Sequence, residues 1–467
     1  MQPVILDSTL REGELYKIFP VNVKLGIAKG LIDVGVVRVE LTVDYPGRTS
    51  EEDIKPVVEL LKEHNVLPVL HGRATAEDVE AIAKYGEVGC ALYMSLSSLH
   101  LEYKLRNLTL EEAVEKMCRS ISKASEYSFP YIRATVEDAS RIFLEQRKQG
   151  VDLIGEFTEK FKEAGATLVS IPDTSGLLTP SQAHELVKEV KQVSKLPIAA
   201  HFHNDYGMAS ANTVEAALAG AEELHVTIMG IGDRNGIADL YEVAASLQDL
   251  HGVNLGIRRE KLAELYRGFS KMTGIRLFWR SPLSEEARTI RAGVHQSMTV
   301  KKPEGYIPVG KLKYDFNEPL YELNPYISHK LIQTLLDNKI NDKEELKLIT
   351  SKIASVIRNR NQRPNLQVIK ELISRETGFD IPLSRLEQFF GVDKVYILLK
   401  LNPSFSTENL KKHLLQDPDV EGFDEVYGDA DMIIIGKLRR SEENNLVSRI
   451  RRAFGPYIED MHILVAD

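Results

Sequence analysis

Residues 198–205 read Ile-Ala-Ala-His-Phe-His-Asn-Asp, a short apolar run that ends abruptly in alternating imidazoles and an acid. An extended chain sends successive side chains to opposite faces, so His201 and His203 point the same way. A run that is apolar throughout and polar only at its end suits a parallel sheet whose strand termini carry the chemistry. The pattern recurs on either side. Stretches 4–7, 37–42, 66–70, 89–94, 131–135, 168–171 and 224–228 are short and rich in aliphatic and β-branched residues. Helical patterns at 52–64, 76–85, 110–127, 152–164, 181–193 and 212–219 lie among them. Eight strands alternating with helices over about 250 residues predict a (β/α)8 TIM barrel. The alternative, an open doubly wound sheet, usually carries fewer strands.

Beyond residue 278 the rhythm changes. Residues 281–326 are rich in Gly, Pro and Lys and read as irregular, partly extended chain, followed by short amphipathic helices at 329–336, 344–359 and 366–377. The last segment predicts a strand at 394–401, a helix at 407–416, strands at 422–428 and 432–437, a helix at 442–454 and a strand at 460–465. That order is a βαββαβ, ferredoxin-like module. The expected organisation is a catalytic barrel over 1–275, a linker and helical subdomain over 276–391, and the small module over 392–467.

The composition, 43% hydrophobic and 27% charged, supplies a sizeable core and excludes disorder, collagen or coiled coil as descriptions of the whole chain. Lysine and arginine number 59 against 68 aspartates and glutamates, a net charge of −9. Nucleic acid and anionic membrane both reward a basic surface, so neither is expected as a partner. Cys90 and Cys118 are too few for a disulfide framework and lack zinc spacing. No apolar run approaches the roughly 20 residues of a membrane span. The opening Met1-Gln2-Pro3-Val4-Ile5-Leu6-Asp7 has neither the basic nor the apolar region of a secretion signal. A soluble cytoplasmic protein is expected.

In a barrel of this kind the active site lies at the C-terminal ends of the strands. Strand 1 runs into Asp7-Ser8-Thr9-Leu10-Arg11-Glu12-Gly13-Glu14, strand 3 into His71-Gly72-Arg73, and strand 6 into Pro172-Asp173-Thr174-Ser175-Gly176. Two imidazoles offered to one cavity suit a divalent cation, with a carboxylate completing the protein ligands; Glu12, two strands around the ring, is the candidate. Two solvated or packing histidines are the alternative. Magnesium, manganese and zinc are all compatible with such ligands. Arg133, Thr135 and Glu137 share one face of strand 5, and an arginine fork beside a hydroxyl suits a substrate carboxylate. A salt bridge from Arg133 to Glu137 or Asp138 is the other reading. His71 is either a donor to a second carboxylate or a structural histidine. The run Gly230-Ile231-Gly232-Asp233-Arg234-Asn235-Gly236 follows the eighth strand with glycine spacing unlike the dinucleotide fingerprint. A close backbone approach, a phosphate seat and a plain tight turn all fit it.

Together these motifs resemble the metal-dependent acyl-CoA carboligases and lyases of the DRE-TIM metallolyase (isopropylmalate synthase) superfamily, and among them the homocitrate synthases most closely. The run Asp7–Glu14 matches their opening motif, where isopropylmalate synthases typically carry aspartate in place of Glu12. Gly232-Asp233-Arg234-Asn235-Gly236-Ile237 follows the homocitrate synthase form of the strand 8 motif. The resemblance covers residues 3–310. It implies Glu12, His201 and His203 as metal ligands, and Arg11, His71, Arg133 and Thr174 around 2-oxoglutarate, with Thr135 nearby. It implies His295, within Arg291-Ala292-Gly293-Val294-His295, as catalytic histidine and Tyr306 as catalytic tyrosine, on a segment that enters the partner subunit's barrel in a homodimer. By themselves these two are an ordinary linker histidine and tyrosine. Leu15 stands where the family usually has glutamine, and Ala91 where an aspartate often faces substrate or inhibitory lysine. The module from Val392 resembles, in topology, the effector-binding domain of leucine-responsive (Lrp/AsnC-type) regulators. Lysine or another amino acid is the effector this implies, and a dimerisation or capping module is the alternative.

The implied reaction joins acetyl-CoA, 2-oxoglutarate and water to give homocitrate and CoA, the first step of lysine biosynthesis through 2-aminoadipate. His295, oriented by Glu137, would take the thioester methyl proton, Arg11 would stabilise the developing alkoxide, and Tyr306 would deliver a proton or orient water. The rivals are 2-isopropylmalate, citramalate or citrate synthesis and, from another class, an amino-acid-sensing regulator. The last requires a basic helix-turn-helix, and none precedes the final module. Hydroxymethylglutaryl-CoA lyase chemistry needs a cysteine in a glycine-rich loop, where neither Cys90 nor Cys118 sits.

Overall fold

Eight strands, β1 (Val4–Asp7), β2 (Arg38–Thr42), β3 (Leu67–Arg73), β4 (Gly89–Ser95), β5 (Tyr131–Glu137), β6 (Leu168–Ser170), β7 (Ile198–Ala200) and β8 (Glu223–Val226), pair in chain order. All pairings are parallel, and β8 returns to β1, so the sheet closes into the predicted barrel. The computed structural model describes every residue except 1, 44–48, 317, 359–365, 404, 418, 439–442 and 467. The expected helix ends at 359 and 442 lie outside the described residues. The chain forms two compact units, Met1–Leu283 and Ser284–Asp467. Among the described residues no helix is long and apolar enough to cross a membrane.

In the barrel unit, one face of each strand packs outward on the helices. Val39 and Leu41 of β2, Ile132 and Ala134 of β5, and Leu224 and Val226 of β8 belong to that outer core. Helix entry is set locally: Ser50 with Asp53, Thr109 with Glu112 and Thr179 with Gln182 form capping boxes, and Pro180 opens its helix. Each cap contributes about 1 kcal/mol. Inside the barrel a small apolar cluster of Leu6, Val69, Ala91, Tyr131, Leu168 and Ala199 is buried apart from the outer core. Ala91 is therefore a packing residue of the barrel interior. Helix Val21–Val34, outside the sequence expectation, contains Gly26 and Gly30, which dilute its helical pattern.

In the second unit the stretch expected to be irregular contains helices Gly293–Thr299 and Val309–Tyr314. It also holds a two-stranded parallel pair, β9 (Thr289–Ile290) with β10 (Leu320–Tyr321). Helices His329–Leu335, Lys343–Arg358, Leu366–Thr377 and Leu383–Phe390 enclose a cluster that includes Ile332, Ile353, Ile369 and Leu386. The chain then builds β11 (Asp393–Leu401), β12 (Val420–Glu425), β13 (Met432–Leu438) and β14 (Ile458–Ala466). They form an antiparallel sheet in the order β12-β13-β11-β14, with helices Glu408–Gln416 and Glu443–Phe454 in the connections.

Candidate active site

Strand β7 stops at Ala200, so His201, Phe202 and His203 continue just past its end. Isolated bridges, Asp173 to Phe202 and His203 to Ile237, hold the segment extended. The alternation therefore persists: Phe202 is buried in the outer core, and both histidines line a cavity of about 560 Å³ at the strand ends. Their ring centroids lie 5.2 Å apart. Also lining it are Arg11, His71, Arg133, Thr135, Glu137 and Thr174, as expected from sequence, together with Arg73, Tyr93, Lys104, Ser170 and His225.

Glu12 sits where the chain turns after β1 and is almost fully buried. One carboxylate oxygen lies 4.0 Å from His203 Nε2 and the other pairs with Arg11. The loop after β8 comes close: Asp233 N–H donates to Glu12 Oε1 at 3.3 Å. Any side chain on Gly232 would strike Glu12, and one on Gly236, at φ +79°, would strike the Gly230 carbonyl. The glycines of this loop thus serve a close approach to Glu12 and a tight turn. Arg234 clamps the loop with a two-pronged bond to Asp205 at 2.8 Å for each prong.

His203 Nδ1 is buried without a hydrogen-bond partner. Burial, with Arg11 and Arg234 adding repulsion, keeps the His203 imidazole below its ordinary range. Burial, with its histidine neighbours His203 and His225, keeps His201 well below it. Neutral imidazoles beside a carboxylate are the donor types a divalent cation takes, and here His203 Nε2 stands 4.0 Å from Glu12 Oε1. Among the described residues, no three acid, thiolate or imidazole groups converge as tightly as a formed metal cage.

The floor of the cavity is a buried charge network that sequence reading missed. Arg133 is 1% exposed, and its fork meets Glu40 of β2 and, at 3.1 Å, His225 of β8. Its partner is thus neither Glu137 nor Asp138, the pairing weighed from sequence, although Arg133 Nε is left unpartnered. Glu40 also accepts from Ser8 Oγ at 2.6 Å and Arg11 Nε at 3.0 Å. Burial alone would raise Glu40, but Arg11 and Arg133 hold it well below the usual carboxylate range. Glu223, with His225, Arg133 and Arg38 overcoming its burial, falls to about 2. The signal available was a lone Glu between Val39 and Leu41, and Glu-Leu-His-Val in β8, where a polar residue alternates with the outer core.

Thr135 Oγ1 is buried and unpartnered, whereas Thr174 Oγ1 accepts the Asp138 N–H at 2.9 Å. His71 stacks on Tyr93 with parallel rings 5.0 Å apart, and burial together with Arg11 keeps it well below the usual imidazole range. Glu137 is engaged by Lys104 at 2.6 Å and by Ser95. Leu15 is exposed at the cavity rim. In the second unit, His295 and Tyr306 stack on each other with centroids 3.8 Å apart.

Among curated proteins the chain is 30% identical to a 2-isopropylmalate synthase of Sulfurisphaera tokodaii, over 79% of this chain and 94% of that protein. It is equally identical, at 30%, to a homocitrate synthase of Saccharolobus islandicus, over 97% of this chain and 96% of that protein. A probable 2-isopropylmalate synthase of Methanopyrus kandleri is 33% identical over 65% of this chain, which spans only 60% of that relative. Among solved structures, the HMG-CoA lyase of Brucella melitensis superposes with a TM-score of 0.50 at 21% identity, covering 59% of this chain and all of that one. Residues 2–267, the barrel whose strand ends carry the site, match the HMGL-like family model, and the chain belongs to that family.

Proposed function

We propose that this protein is a homocitrate synthase: it condenses the acetyl group of acetyl-CoA with 2-oxoglutarate and hydrolyses the thioester, entering lysine biosynthesis through 2-aminoadipate. The observation that carries the choice of acceptor is the polar cavity floor, where the Thr135 hydroxyl is buried and unpartnered beside Arg133. A branched apolar 2-oxo acid would leave that hydroxyl and His71 unpaired, whereas a distal carboxylate would satisfy them.

In this reading Glu12, His201 and His203 hold a divalent cation, magnesium or manganese, with zinc also compatible. The chemistry such an ion supplies is polarisation of the acceptor's keto group. Arg11, fixed between Glu12 and Glu40, presents a preorganised positive charge to the oxygen that becomes negative. Thr174 and Arg133 help seat the substrate carboxylates. In a homodimer whose subunits complete each other's sites, His295 is the base for the thioester methyl, Glu137 orients it, and Tyr306, stacked on His295, delivers a proton or orients the hydrolytic water. The C-terminal βαββαβ module, by topology alone, is read as an Lrp/AsnC-like effector-binding unit with an amino acid such as lysine as its ligand.

The relatives named 2-isopropylmalate synthase, at the same level of identity, favour a second reading in which the acceptor is 2-oxoisovalerate. Thiol release measured across a panel of 2-oxo acids, with and without lysine, decides between them. The first reading expects 2-oxoglutarate to be preferred, with activity abolished by chelation and restored by magnesium or manganese. Preference for 2-oxoisovalerate or pyruvate overturns the acceptor, and full activity after chelation overturns the metal.

A further inference from the structure

We infer that Ser170 is a specificity-determining residue, one of two neighbouring hydroxyls that donate to the distal carboxylate of the acceptor. This rests on the reading of that acceptor as 2-oxoglutarate. Ser170 closes β6, and strand parity sets its direction. Val169 packs in the outer core and Leu168 in the barrel interior, so Ser170, two positions on from Leu168, faces inward. It lines the same cavity as Arg133 and Thr135 and is 1% exposed.

The register of β5 and β6 sets Thr135 beside Ser170 and Arg133 beside Leu168. On the other flank of Ser170 stands Ala199 of the interior apolar cluster, whose side chain offers no hydrogen bond. Ser170 Oγ and Thr135 Oγ1 are both buried without a partner, and so is Arg133 Nε, two residues back on the same face of β5. Unpaired buried polar groups are uncommon and cost stability, so three of them facing one cavity point to a ligand. Arg133 Nε can only donate, and neither hydroxyl has an acceptor within the chain. The complement of two hydroxyls and a guanidinium is a group with several lone pairs and no hydrogen, which describes a carboxylate. A methyl or isopropyl end would leave all three donors unpaired, and that penalty is what lets a polar pocket discriminate. Turning about one bond carries the serine oxygen among three staggered positions, so it can follow a carboxylate that enters. Water filling the cavity would meet the same groups, so a decisive test compares acceptors that differ only at the distal end.

Such a pair is 2-oxoglutarate and 2-oxopentanoate, which carries a methyl group in place of the distal carboxylate. Each is assayed on the full chain with acetyl-CoA and magnesium or manganese, as turnover or, where turnover is too slow, as inhibition of 2-oxoglutarate use. Ser170→Ala should lower kcat/KM for 2-oxoglutarate by roughly 10–100-fold, the loss expected for one hydrogen bond to a charged group, and alter the response to 2-oxopentanoate by less than about twofold. Because the hydroxyl has no partner in the chain, the same variant should keep the parental denaturation midpoint, which separates a lost substrate contact from lost structure. An unchanged kcat/KM for 2-oxoglutarate, or a fall shared equally by both acids, overturns the role of Ser170 and leaves the acceptor reading standing. A parent protein that prefers 2-oxoisovalerate or pyruvate to 2-oxoglutarate overturns both.

Discussion

Arg133 of β5 and Glu40 of β2 meet inside the barrel, both essentially without solvent exposure, and Arg11 and Ser8 close around the same carboxylate. A lone charge at that depth costs several kcal/mol, so the pair stands or falls as a unit.

Glu40→Gln should therefore destabilise the barrel unit by about 3–5 kcal/mol, because Arg133 and Arg11 lose their shared anion. Chemical denaturation of the full chain checks this. In a double-variant cycle, Glu40→Gln with Arg133→Gln should cost less than the sum of the two single changes. Strict additivity would show that the two charges do not support each other.

Burial pushes Asp7 up to about 7 from its ordinary 3.8, with Glu40 adding to the rise and the Thr9 hydrogen bonds opposing it. Between these values the folded chain holds a proton that the unfolded chain has released. This group's favourable contribution is thus present below pH 3.8 and lost as pH rises toward 7. Asp7→Asn should leave stability nearly unchanged at about pH 4 and raise it by about 4 kcal/mol at about pH 8. The measurement is the denaturation midpoint at both pH values; an equal effect at each would contradict the burial argument.

Substitution of His71 probes the acceptor. His71→Leu removes a polar ring that stacks on Tyr93 beside the cavity. Use of 2-oxoglutarate should fall by roughly 10–100-fold in kcat/KM, with little loss on 2-oxoisovalerate. Equal losses on both acids would remove His71 from the specificity argument.

The proposed sharing of each active site between two subunits makes a prediction about mixtures. Chains carrying His295→Ala and chains carrying Glu12→Ala should each be inactive, and unfolding and refolding them together should recover up to about a quarter of parental activity, the share expected for one intact site per mixed dimer. If no activity returns although mixed dimers form, the base and the metal ligands must come from the same chain.

The closed barrel and the polar strand ends were legible because each depends on local alternation. Apolar runs of the right length predict buried parallel strands, and a side chain's parity within a run predicts the face it takes. That reasoning brings His201, His203, Arg133 and Thr135 to one cavity even though β7 ends at Ala200. Parity also marks Glu40, Glu223 and His225 as facing away from the outer core, yet it cannot say what they meet. Arg133 and Glu40 are 93 positions apart in the chain.

Strand content and inward-facing chemistry were thus set by the sequence alone, since the period of two is a property of the extended backbone. The pairings beneath the cavity, Arg133 with Glu40 and His201 with His225, were decided only by tertiary structure. Closure and stagger of the strands determine which inward side chains come within hydrogen-bond reach, and in a desolvated interior each buried charge must end beside an opposite one.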